Sequence, residues 1–150
     1  MSAHPRPGMS ALAGGAALLW AGVLAGVSLL ATPIKFTAPS LDLAVALDVG
    51  RVTFAALNMT ELVLAVVLLL IVLIVARSMW NVAGAVLLAA LVVAQAVWLL
   101  PALDARVQII MDGGTPPESG AHLIYIVAEG LKLAVLLGLG IANLVAAARR

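Results

Sequence analysis

The chain has 150 residues, 65% of them hydrophobic and 10% charged, with a formal net charge of +1 and no cysteine. Soluble domains are about half apolar and a quarter charged, and a soluble fold of this size could not hide long apolar blocks. The charge excludes an electrostatic grip on nucleic acid, and the absence of cysteine excludes disulfide scaffolds, thiolate metal sites and thiol redox chemistry.

Four blocks are long enough to cross a hydrocarbon core, which takes about 20 apolar residues. They predict transmembrane helices near 11–32, 53–76, 80–100 and 121–147, an all-α polytopic four-helix bundle forming one membrane domain over 1–150. The first block exceeds a signal-peptide core of about 7–15 residues and is not followed by a clear cleavage site, so it is expected to stay in the protein. Its Gly22 and Gly26 form a GxxxG pattern that would allow close helix approach.

Pro33 and Pro39 bracket a connector with Lys35 and Phe36. Residues 40–76 as one helix would measure about 55 Å, nearly twice the membrane core. A short extramembrane helix is therefore expected at 40–49, with Gly50 and Arg51 marking a bend into the second span. On the third block Trp80 and Trp98 lie about 27 Å apart along a helix, the separation of two interfacial aromatic belts. Pro101 is expected to end that span, and the turn-rich loop Asp112 to Glu118 leads into the fourth.

Four spans put both termini on one side. Arg6, Arg77, Arg149 and Arg150 fall there, against Lys35, Arg51 and Arg106 opposite. The positive-inside rule then makes both termini cytoplasmic. The expected setting is multi-pass in a bacterial inner membrane, with the lipid bilayer as principal partner. A homo-oligomer or a membrane partner protein is also open.

Three ionisable residues fall at membrane depth: Glu61, Glu129 and Lys132. Each costs about 2.5–3.5 kcal/mol on insertion scales, so such residues usually face a bundle interior or water. Both glutamates lie about 13 Å inside their helices, at similar levels. His122, Tyr125, Glu129 and Lys132 share one face of the fourth helix, and Asn143 returns to it. Asn58 shares a face with Glu61, and Gln95 lies below the outer end of the third helix. The candidate ligand or ion site is thus Glu61, Glu129, Lys132, His122, Tyr125 and Asn58.

Two explanations of this cluster stay open. It is either interhelical glue, worth about 0.6–2 kcal/mol per polar residue, or an outward-open cavity for a cation, proton or small polar ligand. Gly130, Ala134 and Gly138 make a small-residue stripe roughly opposite the polar face of the fourth helix, suited to helix packing or dimerisation. The two halves also show a faint repeat: a helix, a proline, a charged connector, then a helix with a glutamate about nine residues in.

The stretch Gly26, Thr32-Pro33-Ile34-Lys35-Phe36 and Gly50-Arg51-Val52-Thr53-Phe54, with Arg106, Gln108 and His122 in the second half, resembles the transmembrane-protein-205-like family. These are small four-helix membrane proteins of unknown function, often compared with copper-resistance-D-type proteins. The resemblance implies four helices, no established activity and a hint of metal or drug tolerance. Glu129 and Lys132 stand where that pattern would place small or polar residues.

The leading expectation is a non-enzymatic carrier or accessory subunit. The alternative is a structural or assembly subunit of a membrane complex with no ligand site. An intramembrane enzyme is disfavoured, because no serine–histidine pair, di-aspartate motif or metal triad occurs at workable spacing. Two histidines, His4 and His122, are too few for the usual histidine-rich metal sites. No cofactor and no metal are expected.

Overall fold

The computed structural model describes residues 7–74 and 78–149. Among them the chain is all helical, with four helices long and apolar enough to cross a membrane: α1 (Gly8–Lys35), α2 (Leu43–Ile74), α3 (Met79–Met111) and α4 (Ala121–Ala148). Three of the basic residues expected on the terminal side, Arg6, Arg77 and Arg150, lie outside the described residues, as does His4.

Each helix turns one stripe inward. Trp20 and Leu24 of α1, Leu68 and Val72 of α2, Leu88 and Val92 of α3 and Leu136 of α4 meet in a common core. Leu19, Leu30, Val63, Ile74 and Val97 point outward, as do Trp80 and Trp98. The outer surface is therefore as apolar as the core, the pattern of a helix hydrophobic all round.

Two expected boundaries are corrected. Residues 40–49 form no separate helix, because α2 runs unbroken from Leu43 through Gly50. Nothing between Ser40 and Ile74 is a proline. Gly50 alone costs a helix only about 1 kcal/mol, and an Asp48–Arg51 ion pair at 2.6 Å spans that position. Nor does Pro101 end the third helix. The chain continues to Met111 and stops where Gly113 adopts a φ of +80°. There Gly113 N–H donates to Ile110 O and Gly114 N–H to Ile109 O, the paired bonds of a Schellman stop.

Pro33 and Pro101 are absorbed inside helices by a widened turn just before each. Residues Ala25–Ala31 and Gln95–Leu99 are π-helical. The N–H of Thr32 reaches back to Val27 O, and that of Leu100 reaches back to Gln95 O. A proline supplies no N–H and crowds the carbonyl four residues earlier, and a π turn moves the hydrogen-bond ladder by one residue.

These two turns are equivalent positions in a tandem repeat. Pro101 follows Pro33 by 68 residues, and Glu129 follows Glu61 by the same 68. At that spacing several buried positions coincide: Ala13 with Asn81, Ala17 with Ala85, Trp20 with Leu88, Leu24 with Val92, Leu57 with Tyr125, Leu68 with Leu136 and Val72 with Gly140. Packing follows the same exchange, α1 lying chiefly along α4 and α3 along α2. α1 and α4 approach closely, since a Cβ on Gly14 would meet Gly140 O at 3.0 Å.

Candidate functional site

Lys132 is a fully buried lysine. Its Nζ lies 2.5 Å from Glu61 Oε2 and 2.6 Å from Glu129 Oε1, so one ammonium bridges carboxylates from two different helices. A buried charge is tolerated only when paired and hydrogen-bonded, and here both carboxylates have further partners. Trp20 Nε1 donates to Glu61 Oε1 at 2.9 Å. Gln95 Nε2 donates to Glu129 Oε1 at 2.9 Å, and Ser28 Oγ donates to Glu129 Oε2 at 2.5 Å.

All four helices contribute. The two donors to Glu129 both sit in the π turns, Ser28 in that of α1 and Gln95 at the start of that of α3. Widened turns often accompany functional sites because they re-aim side chains. Two buried polar atoms near this network have no protein partner, Gln95 Oε1 and the Tyr125 hydroxyl. The Tyr125 ring packs edge-on against Phe54, with centroids 5.1 Å apart.

Of the six residues expected to form the site, Glu61, Glu129 and Lys132 are brought together, with Tyr125 beside them. Two are placed otherwise. Asn58 is buried, but its Nδ2 donates to the Val92 carbonyl of α3 at 3.1 Å, so it ties α2 to α3 instead of joining the ion cluster. His122 is exposed at the start of α4 and lines a cavity mouth. It sits too near the helix start to share the depth of Tyr125 and Glu129.

A cavity of about 740 Å³ lies at the end of the bundle that carries the connectors 36–42 and 112–120. Its walls are apolar, including Leu24, Leu29, Phe54, Leu103 and Ile126. Glu129, Ser28 and Tyr125 border its deep part, whereas Glu61 and Lys132 do not line it. Lys35, Arg51, Arg106 and His122 stand around it with Asp104. The cluster therefore touches the cavity through Glu129 alone among its charged members.

Trp20 and Ser28 were not among the expected site residues. Trp20 carries a readable signal. It lies mid-block, away from the ends where belt aromatics sit, and a buried indole N–H usually finds an acceptor. Ser28 carries none, since serine is ordinary in apolar helices.

At the opposite end, Asn81 and Asn143 exchange side-chain hydrogen bonds of 3.1 and 2.9 Å between α3 and α4. Among the described residues the small-residue stripes do not serve packing within the chain. Gly22, Gly26, Gly130 and Gly138 have open space around them, and the close contacts fall instead at Gly14, Gly84 and Gly140. Among the described residues no group of His, Asp or Glu is arranged to hold a metal ion.

Neither a protein-family model, nor a curated protein, nor a solved structure matches this chain.

Proposed function

We propose that this chain is a multi-pass membrane protein with both termini cytoplasmic, acting without enzymatic chemistry as a carrier for a proton, a cation or a small polar ligand. The observation that carries it is the placement of Lys132 between two carboxylates, only one of which borders the cavity. One ammonium against two carboxylates leaves the ionised cluster one negative charge in excess. A proton or cation arriving through the cavity meets Glu129 first. Its charge competes with Lys132 for that carboxylate and leaves the ammonium to Glu61. The cluster then has two arrangements that a ligand biases, the minimum a carrier requires.

The test is flux into proteoliposomes with a pH-sensitive interior dye, run with and without small cations. Wild-type protein should give pH-dependent flux, with Glu129→Gln abolishing it and Glu61→Gln altering its pH dependence. Unchanged flux in both variants would reject the cluster as the transport element. Protease added outside sealed cells should spare tags on both termini; cleavage of either refutes the orientation.

A second reading, a structural or assembly subunit, is favoured by the outward glycines Gly26 and Gly138, which nothing among the described residues covers. It expects Gly26→Leu or Gly138→Leu to break a membrane complex on native gels while both Glu→Gln variants leave it intact. Normal assembly of both glycine variants counts against it.

A further inference from the structure

From the charge placement around the cavity, we infer that its occupant is a single-chain amphiphile with an anionic head, a carboxylate or a phosphate monoester. The inference rests on the cavity being a ligand site and names what it takes. Its volume of about 740 Å³ falls among small-molecule sites. The walls give an inorganic ion in transit few polar partners to hold it in the chamber, because apolar side chains from all four helices dominate them. They suit a hydrocarbon chain.

The head is chosen by charge. Three cationic side chains, Lys35, Arg51 and Arg106, line the cavity against one rim carboxylate, Asp104. Arg51 is already committed to Asp48 through two hydrogen bonds. Arg106 donates to the Pro117 carbonyl, a neutral acceptor that leaves its charge uncompensated. Lys35 has the ring of Phe36 at 5.0 Å, and no carboxylate among the described residues forms an ion pair with it. Its ammonium occupies the space that a side chain at Gly50 would fill, since a Cβ there would collide with Nζ. Gly50 thereby lets a lysine at the end of α1 hold its charge against α2, at the edge of an apolar chamber. Basic pockets between membrane helices bind anionic head groups by this means.

Glu129 does not contradict an anionic ligand. Its carboxylate is engaged by Lys132, Gln95 and Ser28, and it borders the deep end, away from the head.

The test measures binding of four amphiphiles to the detergent-purified full chain by competition with a chain-labelled fluorescent fatty acid. They are palmitate, a lysophosphatidic acid, palmitate methyl ester and cetyltrimethylammonium. At least one anion should compete, with the ester and the cation weaker by roughly tenfold or more, the worth of a charged hydrogen bond. Competition by palmitate alone assigns the head to a free fatty acid, and by the phosphate alone to a membrane lipid; both support the proposal. Lys35→Gln, at a half-exposed side chain whose loss leaves the core intact, should weaken the anions by roughly the same factor and leave the ester unchanged.

Equal binding of ester or cation, no binding of either anion, or an unaffected Lys35→Gln variant overturns the proposal. Flux through the Glu129 cluster is measured without amphiphile. Failure here leaves that reading standing, and failure there leaves this one.

Discussion

The ammonium of Lys132 is fully buried, with two carboxylates within 2.6 Å. Removing one partner of a buried ion pair costs about 3–5 kcal/mol, because the remaining charge is left without compensation. Lys132→Met should therefore destabilise the chain by about that amount in a detergent thermal melt. Adding Glu61→Gln and Glu129→Gln to the same chain should recover most of the loss. A triple variant no more stable than Lys132→Met would show that packing, and not charge, dominates at this position.

Much of this network was legible from the sequence because ionisable residues are rare in apolar blocks, so three of them stand out whatever their partners. Which donors serve them was not legible. Ser28 and Gln95 reach Glu129 from helices far away in sequence, and periodicity along one helix says nothing about the azimuth of another.

Proline and glycine act at the scale of single helices, and in this chain each does something local pattern alone misjudges. Pro101 read as a stop, yet the π turn before it lets α3 continue for ten more residues, to Met111. Gly50 read as a bend, yet the Asp48–Arg51 pair carries the helix across it. Among the glycines of α4, position decides. A Cβ on Gly140 would lie 2.5 Å from Leu18 Cδ2, whereas Gly138 has open space. Gly140→Val should cost about 1–3 kcal/mol through overpacking, while Gly138→Val should leave the isolated chain's melting temperature nearly unchanged. The comparison is read from two thermal melts in one detergent. Equal losses would contradict the close α1–α4 approach at Gly14 and Gly140.

For the molecule as a whole, the tandem repeat organises the site. Glu61 and Glu129 are equivalent positions, and one lysine serves both. By the 68-residue spacing, the counterpart of Lys132 is Leu64, which is half-buried against the core. If the hairpins are related by an approximate twofold axis along the bundle, as in parallel-repeat membrane proteins, a lysine at 64 reaches the same two carboxylates from the other side. The double variant Leu64→Lys with Lys132→Leu should regain at least half of the stability lost in Lys132→Leu alone. No recovery would mean that the repeat matches burial but not side-chain reach. The repeat was faint in the sequence because, beyond the prolines and glutamates, the identities across the halves are mostly common apolar residues such as Ala17 with Ala85 and Leu68 with Leu136. It becomes plain when burial is compared, since burial is set by helix azimuth and tolerates exchanges such as Trp20 for Leu88.

Composition and block length by themselves determined that the chain is all helical with four long apolar helices. Helix formation and apolar length are local properties, and no partner is needed to specify them. The rarity of charge within those blocks also singled out Glu61, Glu129 and Lys132. Only the tertiary structure decided that Lys132 sits between the two glutamates, that Trp20, Ser28 and Gln95 complete their hydrogen bonding, and that Glu129 alone of the three borders the cavity. Those facts depend on the relative rotation and height of four helices, set by close approaches such as Gly14 against Gly140 and by two π turns. A displacement of one turn in any helix would leave its sequence pattern unchanged and dissolve the site.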